Sequence, residues 1–540
     1  MTRRWAVWPA AAAVILLAVA GCQAKPAASP SSRSTTAATC PELAARIVDA
    51  LQDYVDSFAD TSAADIGEAV SARQREFGQA TTALRERGEE LGCNPAELAD
   101  LVRRELGRLT GGTPVQDAVA DTFRSDPLGT IDPSDSAASE IVVNSTAQLR
   151  SVLATAGSGS TIRIAKGTYA LTTPLVALRP VTLIGAGDGS DPGSGVTTLT
   201  SRAAGATLVA ATGGNLALTD LAIEHAGGQS ASVVVVAGGG YRFERVRVSG
   251  GVAQDGTGGY GIVLRPASSP LTPTGDSRVL TDVTLTGNEG GGLVIAGAEE
   301  PTITGARVID TAGCGLCWVE SAGGTASDST VTRAKIGLRV DNSAAPVIRT
   351  FRIDGAPVGV ALTGTGSPAV RGSTIIDADI GIQLTGSGSP VLAGNRVVGA
   401  TEIGIRLSGT ARATLEGNQV SGRTKVAVAT VADAASTITG GQVTNTGDVG
   451  LIWGERATGS ATSVVVRGPE LGVQIAGEAA VTLTDVTVDR SDAAAVLASD
   501  RSSGTLTRLT CGTGSRAAVV LADKTKVELV DSPTCTPYRR

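Results

Sequence analysis

Aligned on one recurring phrase, three consecutive 22-residue segments of this chain read PVIRTFRIDGAPVGVALTGTGS (346–367), PAVRGSTIIDADIGIQLTGSGS (368–389) and PVLAGNRVVGATEIGIRLSGTA (390–411). The same phrase runs back to Leu280 and forward to about Lys526, in units of 21 to 24 residues. Each unit holds two or three short runs of alternating apolar residues, separated by Gly, Asn, Ser or Pro. Alternation with period two is the signature of strands, and helical periodicity is missing from the repeats. A unit this short cannot bury its own apolar face, so it must stack on its neighbours as a solenoid. Gly/Ser/Thr-rich composition alone would suit disorder, but the apolar alternation persists through every repeat. Aromatics are only 3% of the chain. The core therefore has to be filled by Val, Ile, Leu and Ala, which suits a narrow β-solenoid.

Residues 1–21 have the form of an export signal and lie outside the fold. Arg3 and Arg4 precede an apolar run from Ala10 to Ala20, closed by Val19-Ala20-Gly21-Cys22. The run is short for a membrane span of ~20 residues. Its last four residues resemble the lipobox of bacterial lipoprotein signal peptides. That resemblance implies lipidation of Cys22, export, and anchoring to the outer face of the bacterial cytoplasmic membrane. A plain secretory peptide and a short membrane anchor are the alternatives. A twin-arginine signal fits poorly, because Trp5-Ala6-Val7 follows the arginine pair. Residues 22–39 form a Ser/Ala/Thr/Pro tether with nothing to pack. Loss of residues 1–21 removes two arginines and no acids, taking the net charge from −7 to −9. Such a surface gives no encouragement to nucleic-acid binding.

Residues 40–128 switch to helical spacing and predict a small α-helical bundle. Leu43, Ile47, Val48, Leu51, Tyr54, Val55 and Phe58 form one stripe, and Val70, Phe77, Leu84 and Leu91 a second. Asn94-Pro95-Ala96-Glu97 opens a third helix with a favourable cap, and Val115, Val119 and Phe123 suggest a fourth. Residues 129–140 are a linker. If Cys22 carries lipid, six cysteines remain, an even number for an oxidising compartment. Cys40 and Cys93 fall at one end of an antiparallel bundle and can pair. Cys511 and Cys535 lie about one repeat apart, and adjacent coils ~4.8 Å apart are within disulfide reach. Cys314 and Cys317 enter a strand. A redox-active pair would need a helix N-terminus and a zinc site a second ligand pair, so a structural disulfide is expected there.

The stretch from Ile141 to Gly187 contains a short amphipathic helix (Leu149, Val152, Leu153, Ala156), then GSTIRIAKGTY and VTLIGAG. It resembles the opening of right-handed parallel β-helix proteins of the pectate-lyase-like superfamily, in which a helix caps the first coil and hides its open edge. The resemblance extends over 141–540 and includes the NosD-like carbohydrate-binding and sugar-hydrolase repeats. It implies a mainly-β chain, a right-handed parallel β-helix of ~22-residue coils preceded by the helical bundle. It leaves function open, because that superfamily includes lyases, hydrolases, epimerases, esterases and non-enzymes.

Within each coil the phrase Gly-Ile-x-Leu places Ile and Leu inward and x outward. The inward pairs are Ile262/Leu264, Leu316/Trp318, Leu338/Val340, Ile382/Leu384, Ile405/Leu407 and Leu451/Trp453. Burial of each such side chain is worth ~1.5–3 kcal/mol, so the stack calls for neither cofactor nor metal. Asn288, Asn395 and Asn418 precede apolar pairs, where turn asparagines can stack in a ladder.

The motifs that would mark an enzyme of the resembled superfamily are missing. There is no Asp-Asp pair, and the single histidine, His225, lies in Ile-Glu-His-Ala. The outward positions of the Gly-Ile-x-Leu strand are bland: Val294, Ala361, Thr363, Gln383, Thr385, Ser408, Gln474, with charge only at Arg265, Arg339, Asp341 and Arg406. The irregular early coils, 215–280, carry two insertions (252–260 and 266–276) and most of the polar variety. Long loops on a rigid frame commonly carry ligand contacts. Glu224, Asp255 and Arg265 are the candidate catalytic residues there, and His225, Tyr241 and Tyr260 the candidate ligand contacts. The expected role is a non-catalytic surface or scaffold protein that binds a polysaccharide or an envelope protein. A polysaccharide lyase or glycoside hydrolase is the rival. Converging acid and base side chains would favour the enzyme, and scattered ones the scaffold.

Overall fold

The computed structural model describes residues 37–61, 86–113, 140–177, 180–190, 195–210, 216–266, 277–445, 447–512, 517–522 and 524–539, with single positions between 73 and 123. The proposed signal, Cys22, Val70, Val115, and most of the linker and of the second insertion lie outside the described residues.

A helix runs over Cys40–Asp56, capped by Thr39, whose hydroxyl accepts from the Glu42 amide at 3.3 Å, while the Glu42 carboxylate accepts from the Ala38 amide at 2.8 Å. Such reciprocal capping satisfies donors that the first turn leaves open. A second helix, Pro95–Glu105, starts where the Asn94 side chain accepts from the Glu97 amide. The stripe Leu43, Val48, Leu51, Val55 and Phe58 is buried with Leu84, Val102, Leu106 and Phe123. Cys40 and Cys93 are joined, with Cα atoms 5.8 Å apart.

The β region opens with the helix Thr146–Thr155, whose Leu149 is fully buried against the first coil. About 16 coils follow, each contributing to three parallel sheets. The first sheet passes through strands such as Val347–Arg349, the second through Arg352–Asp354, and the third through Val358–Gly364. In the third sheet the inward pairs from Ile262/Leu264 to Leu451/Trp453 are all at most 2% exposed, as the alternation predicts. This is a right-handed parallel β-helix, mainly β, with helices preceding it.

Sharp corners close each coil into this three-sided shape. Between the first and second sheets the corner residue is left-handed in coil after coil: Asp220, Arg245, Asp282, Gly305, Asp328, Thr350 and Gly372 all have φ between 50° and 69°. Just beyond that corner an inward position reads Ser329, Phe351, Ser373, Asn395, Asn418. The Ser373 amide donates to Asn395 Oδ1 at 3.0 Å, and both the amide and Nδ2 of Asn395 donate to Asn418 Oδ1 at 3.0 Å. Asn288 does not belong to this ladder. It lies at the entry to the third sheet, fully buried, and accepts from the Gly251 amide at 2.9 Å.

Surface charges stack vertically. Arg245 grips Asp220, Arg456 grips Asp433, and Arg508 grips Asp485, each through two nitrogens at 2.6–3.0 Å between adjacent coils. Cys511 and Cys535 are joined across the last coils, with Cα atoms 5.2 Å apart, and Cys314 is joined to Cys317.

The helical unit is packed on the solenoid. Leu43, Leu51, Phe58 and Leu106 share one apolar cluster with Val176, Ala206, Val209 and Val235, and Val263 lies at its margin. The four valines are outward-facing and in register on successive strands of the third sheet. Val209 and Val235 are 0% exposed. The helices therefore cover the outer face of the third sheet over its first four coils.

Candidate functional site

The six residues expected to carry a site are spread over four elements, the strands Leu216–His225, Tyr241–Ser249 and Tyr260–Arg265 and one hairpin. Glu224 is exposed near the end of the strand Leu216–His225 in the second sheet. Asp255 is at the tip of an antiparallel hairpin, Ala253–Gln254 with Thr257–Gly258, and has φ 52° beside Gly256 at 78°. An Asp-Gly pair with both residues left-handed is what a two-residue hairpin turn demands, which accounts for Asp255 without chemistry. Arg265 ends the strand Tyr260–Arg265 in the third sheet. These three groups sit on three different elements, whereas a general acid and base must both reach one reacting bond.

His225 and Tyr241 are turned away from solvent. His225 is 3% exposed, and neither ring nitrogen has a hydrogen-bond partner. Burial pushes its pKa below the ordinary 6.5, opposed only by a backbone contact at Gln229. Tyr241 is 1% exposed and points inward beside Phe243. Its hydroxyl donates to Glu299 Oε2 at 3.0 Å, and Arg278 Nε is 3.6 Å from the same oxygen. Burial raises the pKa of both the phenol and the carboxyl. A ligand contact at Tyr241 is thus corrected to a structural one, since alternation points its ring into the coil. Glu299 gave no sign in the sequence. It follows the strand Gly291–Ile295, which carries the repeated phrase, in a turn that the phrase does not mark, and only the fold brings it under Tyr241.

Tyr260 remains on the outside. It is half-buried on the outer face of the third sheet, packed with Val294, Cys314, Cys317, Val319 and Ile336. Two outward positions that read as bland surface, Val294 and Ala361, are in fact buried, only 9% and 8% exposed. In-register side chains one coil apart cover one another, which alternation alone cannot show.

The outer face of the third sheet can be followed along one register: Val176, Val209, Val235, Val263, Val294, Cys317, Arg339, Ala361, Gln383, Arg406. Its start is apolar and covered by helices. Its middle is polar. Arg339 Nε is paired to Asp341 Oδ2 at 2.5 Å, and Thr363 donates to Asp341. The Thr385 and Ser408 hydroxyls are 3.3 Å apart. Arg406 is half-buried and has no ion-pair partner among the described residues. Among those residues no group of three or more His, Cys, Asp or Glu side chains comes together as a metal site.

Fold and face together define a right-handed parallel β-helix protein with a helix-covered start and an open polar strip. The family described as "Right handed beta helix region" matches residues 291–443 and 358–509. No curated protein matches the chain. Among solved structures, the N-terminal fragment of bacteriophage phi29 gene product 12 is similar at 12% identity and a TM-score of 0.41, covering 66% of this chain and 67% of that one. The catalytic unit of the GH87 alpha-1,3-glucanase from Streptomyces thermodiastaticus is similar at 16% identity and a TM-score of 0.33, covering 76% and 69%. An alginate lyase from Paenibacillus sp. is similar at 15% identity and a TM-score of 0.29, covering 57% and 94%.

Proposed function

We propose that this is an envelope-anchored, non-catalytic β-helix protein that binds a glycan along the outer face of its third sheet, between Arg339 and Ser408. The observation that carries the reading is the polar strip itself. Along coils ~4.8 Å apart, Arg339 is followed by Ala361, then Gln383, then Arg406, and Thr363, Thr385 and Ser408 form the neighbouring outward row, on a face that no described helix covers. Rows of planar amide, guanidinium and hydroxyl groups suit a polyhydroxylated chain laid along the axis. Placement of Glu224, Asp255 and Arg265 on three different elements, with Asp255 accounted for by its turn, favours binding over cleavage, which needs an acid and a base at one bond. The lipobox-like Val19-Ala20-Gly21-Cys22 and the tether behind it support attachment to the membrane.

The test is a panel of cell-wall and plant polysaccharides offered to the purified chain, read for both binding and reducing-end release. Binding without release, weakened by Gln383→Ala and Arg406→Ala, is expected. Release of reducing ends that disappears in Glu224→Gln or Asp255→Asn would replace this reading with the enzymatic one.

A further inference from the structure

We infer that the corner between the first and second sheets is a membrane-facing ridge, where a row of arginines rests on anionic lipid headgroups. The inference rests on the envelope-anchored reading and adds which side of the solenoid meets the bilayer. On the first-sheet flank of this corner, Arg349 and Arg371 are in register on neighbouring coils. On the second-sheet flank, Arg307, Thr330, Arg352, Thr374 and Arg396 follow one another in one register, so an arginine stands on every second coil. Four steps of ~4.8 Å give the row a length of roughly 19 Å. Arg371 is half-buried and the other four arginines are exposed. Between the flanks, the corner residues Thr350, Gly372 and Gly394 are small and exposed, so nothing taller than the arginines stands there. Two acids lie among them. Asp354 pairs with Arg352 at 2.8 Å, and Asp328 is at the corner one coil before Thr350. Elsewhere on the solenoid arginines are paired across coils, as Arg456 is with Asp433. Arg307, Arg349, Arg371 and Arg396 have no ion-pair partner among the described residues. Like charges directly opposite one another on adjacent strands, as at Arg349 and Arg371, are destabilising, and an anionic partner would relieve this.

Shape selects the partner. The two flanks turn away from each other about a convex corner, not a groove. A single polymer strand can follow one flank, whereas a plane of headgroups laid against the edge touches both. Arginine suits such a plane, since its planar fork takes phosphate oxygens in pairs. In a three-sided coil the third sheet is the side that does not meet this corner. With the ridge on the bilayer, the face carrying Gln383 and Arg406 is turned away from the membrane, where a wall glycan can reach it.

The test uses the unlipidated chain from Cys22 onward, so that no fatty acid contributes. It is offered vesicles of phosphatidylcholine alone and of phosphatidylcholine mixed equally with phosphatidylglycerol. Co-sedimentation should show binding to the mixed vesicles alone, falling as added salt shortens the ~8 Å screening length of physiological buffer. Arg349→Glu with Arg371→Glu should weaken binding by roughly thirtyfold, since each arginine near an anionic surface is worth about fivefold. Arg349→Lys with Arg371→Lys should keep most of it. Lys524→Glu with Lys526→Glu, the same change of charge at exposed positions near the far end of the solenoid, should leave it nearly unchanged, being beyond a Debye length from the ridge. On mixed vesicles an arginine-directed dicarbonyl reagent should spare Arg349, Arg371 and Arg396 and still modify Arg406. Equal binding to both kinds of vesicle, equal loss in the lysine-to-glutamate variant, or protection of Arg406 in place of the ridge would overturn the inference. Binding of soluble polygalacturonate without binding of vesicles would also overturn it and assign the ridge to a polymer. Lipidation of the wild-type chain is read separately, so a ridge that fails on vesicles leaves the anchor standing, and an unlipidated wild type that still binds them leaves the ridge.

Discussion

At the residue scale, the glycine of the Gly-Ile-x-Leu phrase does more than start a strand. A β-carbon on Gly404 would lie 2.5 Å from Val420 Cγ1, and one on Gly450 2.5 Å from Val466 Cγ1. The glycine faces inward, where the third sheet closes against the second, and leaves the space that the opposing valine fills. Ala427 and Ala495 occupy the same register position in other coils, so one carbon can be accommodated where the neighbours shift. A β-carbon on Gly404 would also lie 2.5 Å from the Ala427 carbonyl oxygen, so Gly404→Ala should itself destabilise the solenoid, and Gly404→Val, which also overpacks the core, should cost about 1–3 kcal/mol more. Thermal unfolding of the two variants measures the difference, and equal loss would refute the packing argument. His225 gives a pH prediction. Its folded pKa lies below the ordinary 6.5 because burial opposes the charge. The unfolded chain therefore takes up the proton first, and His225's contribution is present above about 6.5 and lost as the pH falls towards the folded value. His225→Leu should flatten the acid side of the stability profile between neutrality and the carboxylate range. An unchanged profile would mean that other groups set it.

At the scale of the element, turns rather than strands carry the specificity. Asn395 is fully buried, and its side chain satisfies the Ser373 amide and donates to the Val370 carbonyl at 2.8 Å. Asn395→Ala would leave the Ser373 amide unpaired, at about 1–3 kcal/mol for a group that water cannot reach, and would remove one donor from the Val370 carbonyl. Asn395→Asp would keep the acceptor but lose the donor and bury a charge. Denaturant titration of the two variants should show both destabilised, and stability within error of wild type would show that water replaces the ladder. The sequence made the strands legible, since period-two alternation and the 22-residue repeat leave little choice of fold. It also made the pairing of Asn395 with Asn418 legible, because the two residues are one repeat apart. Asn288 shares the residue type but sits at another corner, which only the three-dimensional register reveals. The surface ion pairs follow the same rule. Asp485 and Arg508 are unremarkable in sequence, yet one coil's turn places them together and holds the Asp485 carboxyl below its ordinary pKa. The candidate site residues stand out by chemical type in the irregular early coils, and irregularity carries no information on which way a side chain points. That is why Tyr241 proved to be core and Asp255 a turn.

At the scale of the whole molecule, the helical unit and the solenoid share an apolar interface that the sequence had divided by a linker. Val209→Asp would place a charge at a fully covered position, where an unpaired carboxylate is strongly unfavourable. Hydrogen exchange should then accelerate in the helix Cys40–Asp56 while the coils beyond Arg339 stay protected. Unchanged protection of that helix would argue against the interface. The same unit holds the start of the described chain. Arg87 donates through Nε and Nη2 to the Ala37 carbonyl at 3.0 and 2.9 Å, and the Cys40–Cys93 disulfide lies just beyond. The described part of the chain therefore begins at a clamped point, and residues 22–36 are the length available to reach a bilayer. At most ~3.6 Å per residue, they allow a stand-off of a few tens of Å. If Cys22 is lipidated, the covered coils are tied to the anchor and the polar strip lies further along the solenoid. Expressed in a bacterium, the wild-type chain should partition with membranes and take up labelled fatty acid. Cys22→Ala should do neither, while keeping the thermal transition of the folded part. Wild-type protein recovered from the medium, soluble and unmodified, would refute the anchor.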